Sequence, residues 1–172
     1  MTDLPPVRVL IADDHRLFAE AVGLSIGIDP RVELVGWAPN GEDAVRLALE
    51  LQPDVVLMDL EMPVLDGVGA TRAVREALPA CRVIVLTASP AAENVGRARA
   101  AGAAAYLAKS CSTQDVIDAV VEVAAPDDSE RKEDADGGHE PRTLRAAGRP
   151  RPLLLLLTSA PPSRLLAAEA LP

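Results

Sequence analysis

A doubly wound α/β domain around a parallel sheet is the fold class this sequence predicts, and three observations carry it. Five short apolar runs alternate with five amphipathic stretches over about 120 residues, the rhythm of successive βα units. Three of those runs, Val7–Ala12, Val55–Met58 and Val83–Leu86, are almost continuously apolar, as expected of strands covered on both faces. Four of the runs end in polar groups: Asp13-Asp14, Asp59, Thr87 and Lys109. In an open α/β sheet the carboxyl edge of the strands is where ligands bind, so parallel pairing gathers these five side chains in one place.

The elements follow in order. The predicted strands are Val7–Ala12, Val32–Ala38, Val55–Met58, Val83–Leu86 and Ala104–Leu107. Helical spacing puts Leu17, Phe18, Ala21 and Val22 on one face after the first strand. Ala44, Leu47, Ala48 and Leu51 form the next face, and Ala70, Val74, Ala77 and Leu78 the third. The stretch from Ala91 to Ala101 has a weak apolar face, with Val95 and Ala98 its clearest members. Val116, Ile117, Val120 and Val121 make the last helical face. Asn40-Gly41, Gln52-Pro53, Leu78-Pro79 and Ser89-Pro90 punctuate the pattern as turns. Crossovers between parallel strands are expected to be right-handed.

Composition narrows the function classes. The chain has 172 residues and is 49% hydrophobic but only 2% aromatic, so its core is built from Ala, Val, Leu and Ile. The formal net charge is -9. Residues 1–125 carry ten basic against eighteen acidic side chains, so the acidity sits in the predicted domain. Such a surface is repelled by nucleic acid and anionic lipid. Two cysteines, Cys81 and Cys111, are no disulfide framework and point to reduced thiols in the cytoplasm. The first residues lack a basic segment followed by an apolar one, so no signal peptide is expected. Leu153 to Leu157 is far shorter than the ~20 apolar residues of a membrane span.

Three carboxylates, a hydroxyl and an ammonium make a site for a divalent cation and a transferred phosphoryl group. Mg²⁺ favours octahedral oxygen coordination and keeps several waters beside one or two carboxylates and a phosphate. Asp13, Asp14 and Asp59 supply carboxylates that repel one another without a cation, which raises some of their pKa values. Each residue also has a plainer reading on its own. Asp14 can cap a helix, Lys109 can be a solvated strand end, and Thr87 can be a β-favouring residue closing a strand. The set is what distinguishes the site.

The set ADD, MDLEMPVLDG, LTAS and YLAK, in this order, resembles the receiver domain of bacterial two-component response regulators, over roughly residues 7 to 125. ADDHRLF and YLAKS are similar to the NarL/FixJ-like subfamily. The resemblance implies a flavodoxin-like five-stranded sheet, (βα)5, in the order 2-1-3-4-5 known for a chemotaxis receiver. It implies that Asp59 is the phosphoacceptor, a carboxylate nucleophile, and that a sensor histidine kinase is the phosphodonor. Asp14, Asp59 and the backbone carbonyl of Glu61 are then direct Mg²⁺ ligands, with Asp13 acting mostly through water. Lys109 pairs with Asp59 before transfer and with the phosphoryl group after it. Thr87 donates to a phosphoryl oxygen, and Tyr106 turns inward as Thr87 moves. Glu61 and Ser89 tune hydrolysis of the acyl phosphate. Met62-Pro63 and Gly67 lead into the third helix, and Ala88 leaves access to the site. Ser110 follows the lysine where many receivers have proline. The switched surface, near Arg97, Tyr106 and Asp118, is expected to pair with a second copy or a target protein. His15 is read as a first-turn surface or packing residue, because the chain lacks the helical hairpin of a phosphotransfer domain.

Residues 126–172 are expected to form an irregular, disordered tail. They hold seven of the fifteen prolines, a charged block from Asp127 to Asp136, and five arginines between Arg142 and Arg164 with no acidic residue. NarL-type regulators usually continue into a helix-turn-helix domain. No such pattern follows Ala125, so no DNA binding is expected from this chain. A stand-alone receiver, a regulator that has lost its output, and an out-of-frame or truncated NarL-type transcriptional regulator all remain open. A phosphatase of the haloacid-dehalogenase type also uses Asp, a hydroxyl, Lys and Mg²⁺. It needs its nucleophile on the first strand, whereas here the acidic pair comes first.

Overall fold

The computed structural model describes residues 5–88, 91–125 and 155–156. Five parallel strands form the sheet: β1 (Val7–Ala12), β2 (Val32–Ala38), β3 (Val55–Asp59), β4 (Arg82–Thr87) and β5 (Ala105–Ala108). They alternate with α1 (Arg16–Ile26), α2 (Gly41–Leu51), α3 (Gly67–Ala77), α4 (Ala92–Ala100) and α5 (Thr113–Ala124). The strand order is β2-β1-β3-β4-β5, the flavodoxin-like order expected. A two-residue strand, β6 (Leu155–Leu156), pairs antiparallel with β5 at the edge. Apart from it, the tail predicted over 126–172 lies outside the described residues.

The sheet is covered on both faces, which is why its inner strands read as unbroken apolar runs. Val9, Ile11, Leu57, Ile84 and Leu107 pack with Val22 and Ile26 of α1 and Ile117 and Val120 of α5. Leu10, Val56, Met58, Val83 and Val85 pack on the other side with Ala44 and Ala48 of α2, Ala70 and Val74 of α3 and Ala98 of α4. Small alanines let these helices approach the sheet closely, as the near-absence of aromatics requires. On α1 the buried face is Ala19, Val22 and Ile26, whereas Leu17 is 82% exposed. The predicted face of that helix is therefore rotated by part of a turn.

Local chemistry fixes the helix starts. Asn40 caps α2 by accepting the Asp43 N–H at 2.8 Å. Asp66 caps α3 through the Gly69 N–H at 2.7 Å. Ser112 and Asp115 form a reciprocal capping box on α5. Gln52, in the left-handed region at φ 50°, ends α2. Cys81 is buried and Cys111 half-buried, both as free thiols.

Candidate functional site

Register brings the predicted residues together. Ala12 pairs with Met58 across β1 and β3, which sets Asp13 beside Asp59 one residue further along. Asp59 pairs with Leu86, and Thr87 with Ala108. The Lys109 N–H then donates to the Thr87 carbonyl at 2.7 Å. Asp13, Asp59 and Thr87 are buried at this edge. The loop after β3 is held by Gly67, whose N–H donates to the Leu60 carbonyl at 3.0 Å. A Cβ on Gly67 would lie 1.8 Å from the Asp59 carbonyl oxygen, so only glycine lets α3 start this close to the strand end.

The charges are arranged as an acidic bowl closed by one ammonium. Lys109 Nζ is 2.8 Å from Asp13 Oδ2 and 2.8 Å from Asp59 Oδ2. Apart from that ammonium, neither buried oxygen has a hydrogen-bond partner among the described residues. Burial pushes the Asp59 carboxyl above the ordinary range, and the neighbouring Asp13 charge adds to the rise while Lys109 opposes it. Burial alone would lower the Lys109 ammonium, but the bonds to Asp13 and Asp59 hold it above its usual range. The remaining contacts position these groups. The His15 N–H donates to Asp13 Oδ1 at 2.8 Å, and the Glu61 N–H reaches Asp59 Oδ1 at 3.4 Å.

One oxygen or nitrogen from each of Asp13, Asp14, His15 and Asp59 lies within 4.8 Å of all the others. This donor set fits a divalent cation. Buried carboxylate oxygens with a single ammonium between them are under-neutralised, and hard oxygen donors are what Mg²⁺ takes. Asp14 is exposed, whereas both Asp13 oxygens are already held by the His15 N–H and Lys109.

Three aromatic residues touch the site, although the chain has only one Phe, one Tyr and one Trp. Tyr106 is 3% exposed and shares a hydrogen bond with Thr87. The Phe18 ring lies under Lys109, with Nζ 5.1 Å from its centroid, a cation–π contact. The Trp37 indole N–H donates to the Asp13 carbonyl at 2.9 Å. The sequence reading found Tyr106 but missed Phe18 and Trp37 as site residues. No signal in the sequence singled them out, since both lie at half-exposed positions of α1 and β2. Ser89 lies outside the described residues, and the Glu61 side chain is exposed.

Comparison with known proteins agrees with this geometry. The model of the response regulator receiver domain matches residues 9–121. The transcriptional regulatory protein LiaR of Bacillus subtilis is 38% identical over 114 residues, covering 66% of this chain and 54% of LiaR. The chain thus spans about half the length of the curated relatives it matches. The signal receiver domain of the putative response regulator NarL from Mycobacterium tuberculosis superimposes with a TM-score of 0.68 at 35% identity. That match covers 70% of this chain and 98% of the NarL domain. The CheX–CheY complex of Borrelia burgdorferi with BeF3 and Mg gives 0.64 at 25% identity, over 70% of this chain and 91% of that one. Sheet order, the position of the acidic edge and these relatives lead to one assignment: the chain belongs to the response regulator receiver domain family.

Proposed function

We propose that this chain is the phosphoacceptor of a two-component phosphorelay, with Asp59 taking a phosphoryl group from a sensor histidine kinase. The observation that carries this reading is the pairing of one lysine with two buried carboxylates, Asp13 and Asp59, at the carboxyl edge of the sheet. In the transfer, an Asp59 carboxylate oxygen attacks phosphorus. The bond from phosphorus to the donor nitrogen breaks, and its electron pair returns to the donor imidazole. The product is an acyl phosphate on Asp59.

Asp13, Asp14, Asp59 and the Glu61 carbonyl would hold Mg²⁺, which when bound supplies charge neutralisation for the phosphoryl oxygens. Lys109 turns from the Asp59 carboxylate to the new phosphoryl oxygens. The Thr87 hydroxyl donates to a phosphoryl oxygen, and its bond to Tyr106 couples that movement to β5. Glu61 and Ser89 flank the acyl phosphate and set how long it lasts. The chain does no other catalysis than its own slow phosphorylation and dephosphorylation. The change at β5 acts as a population shift between two surfaces, read by a second copy of the chain or by a target protein. Likeness to the transcriptional regulatory protein LiaR favours a second reading, in which the chain is the receiver part of a truncated or frameshifted NarL-type DNA-binding transcriptional regulator. A footprint on a defined DNA site would select it.

Acetyl phosphate with Mg²⁺ should add one phosphoryl group per chain, measured by intact mass. Asp59→Asn should abolish the adduct. An undiminished adduct on that variant would overturn the assignment of Asp59.

A further inference from the structure

The residue that opens α1 is not used by the phosphoryl chemistry described above. His15 occupies the N-cap of α1. Ser, Thr, Asp and Asn are favoured there because a short side-chain oxygen can accept an orphan helix N–H. The imidazole makes no such bond. Its side chain is 70% exposed, so the core does not call for it either.

The ring points instead at the acidic edge. His15 Nδ1 is 2.9 Å from Asp14 Oδ1 and 3.4 Å from Asp13 Oδ1. Two neighbouring ligands of an octahedral ion, each about 2.0–2.1 Å from it, stand about 2.9 Å apart. The His15–Asp14 contact, an ion pair when the imidazole is protonated, has that separation. The four donor residues converge within 4.8 Å. Within that cluster Asp13 Oδ2 and Asp59 Oδ2 are buried, and among the described residues the Lys109 ammonium is the one group that neutralises both.

We propose that His15 Nδ1 is a ligand of this site for transition-metal divalent cations of the Co²⁺, Ni²⁺ and Zn²⁺ class, while Mg²⁺ is held by the oxygen donors alone. The inference rests on the reading of Asp13, Asp14 and Asp59 as a metal site. Its physical basis is ligand softness. Carboxylate, carbonyl and water suit Mg²⁺, whereas an imidazole adds affinity for the later metals and little for Mg²⁺. A site with His15 in it is therefore a metal-discriminating site, and the discrimination lies in one exposed side chain at the start of α1. Coordination through His15 would also tie the first turn of α1 to the end of β1.

The full chain carries its own reporter, because Trp37 donates to the Asp13 carbonyl. Mg²⁺ and Co²⁺ are titrated against Trp37 fluorescence, with Co²⁺ visible absorption as a second readout. Both titrations are done at one pH above the ordinary imidazole range. His15→Gln should weaken Co²⁺ binding by at least about tenfold, reduce the cobalt absorption, and leave Mg²⁺ binding unchanged. His139→Gln, which removes the other histidine of the chain, should change neither metal. Unaltered Co²⁺ binding by His15→Gln would overturn the proposal. So would an equal loss for both metals, which would mean that His15 merely positions Asp13 and Asp14. A wild-type chain whose Trp37 responds to neither metal would refute the metal-site reading itself. That result is distinguishable because it precedes any substitution.

Discussion

At the scale of the single residue, the site stores an electrostatic cost in Asp59. Its carboxyl is 3% exposed and its pKa is raised by burial from the ordinary 3.8. A carboxyl whose folded pKa is raised favours the fold while it is neutral. That contribution is lost as pH rises through the folded value. In metal-free protein, Asp59→Asn should therefore be more stable than the wild type at neutral pH. Lys109 keeps Asp13 as its partner in this variant. The gap should narrow as pH falls through the raised Asp59 pKa toward 3.8. Thermal melts in the presence of a chelator measure it, and a gap independent of pH would show that burial of charge is not its cause. Adding Mg²⁺ should reverse the order, since only the wild type retains the full donor set.

At the scale of the element, glycines at two helix positions have opposite consequences. Gly67 starts α3 against the end of β3, and an added Cβ would meet the Asp59 carbonyl oxygen at 1.8 Å. Backbone cannot yield as a flexible side chain does. Gly67→Ala should cost about 3 kcal/mol, at the upper end of ordinary overpacking, and should weaken Mg²⁺ binding by displacing Asp59. Gly96 lies inside α4 with nothing within 4 Å of its would-be Cβ. Gly96→Ala should raise stability by about 0.5–1 kcal/mol through helix propensity alone. Denaturant unfolding with a parallel metal titration separates the two. A Gly67 variant with normal stability and metal binding would contradict the account of how α3 fixes the strand end.

At the scale of the whole molecule, both apolar layers are built, among the described residues, between Val7 and Ala124. Of the described residues beyond Ala125, β6 sets Leu155 opposite Tyr106 and Leu156 opposite Ala105 at the sheet edge. A chain ended after Ala125 should therefore melt cooperatively, within a few degrees of the full chain, and keep its Mg²⁺ titration. A truncated chain without a cooperative transition would show that later residues belong to the core. At the opposite edge, α1 leaves part of β2 uncovered. An open groove of about 800 Å³ runs there, lined by Leu24, Ile28, Leu34 and Trp37 among others. Leu24 and Ile28 are 73% and 85% exposed on its rim.

The five βα units, the parallel sheet and the gathering of Asp13, Asp14, Asp59, Thr87 and Lys109 were determined by the sequence itself. Unbroken apolar runs require cover on both faces, and parallel pairing forces every run to end at the same edge. Strand ends were legible to within a residue, because in four of the five runs the polar residue that stops the run is also a site residue, and Pro39 stops the other. Tertiary structure alone decided the rest. The buried face of α1 depends on where α5 and the sheet meet it, so Leu17 is exposed while Ala19 is buried. Phe18 and Trp37 reach the site from different elements, and no local period encodes a contact between residues so far apart in the chain. His15 looked like a first-turn surface residue, and its exposure agrees with that position. Only the three-dimensional fold shows its ring aimed at Asp14, because side-chain direction at a helix start is set by the cap geometry rather than by the residue's place in a pattern.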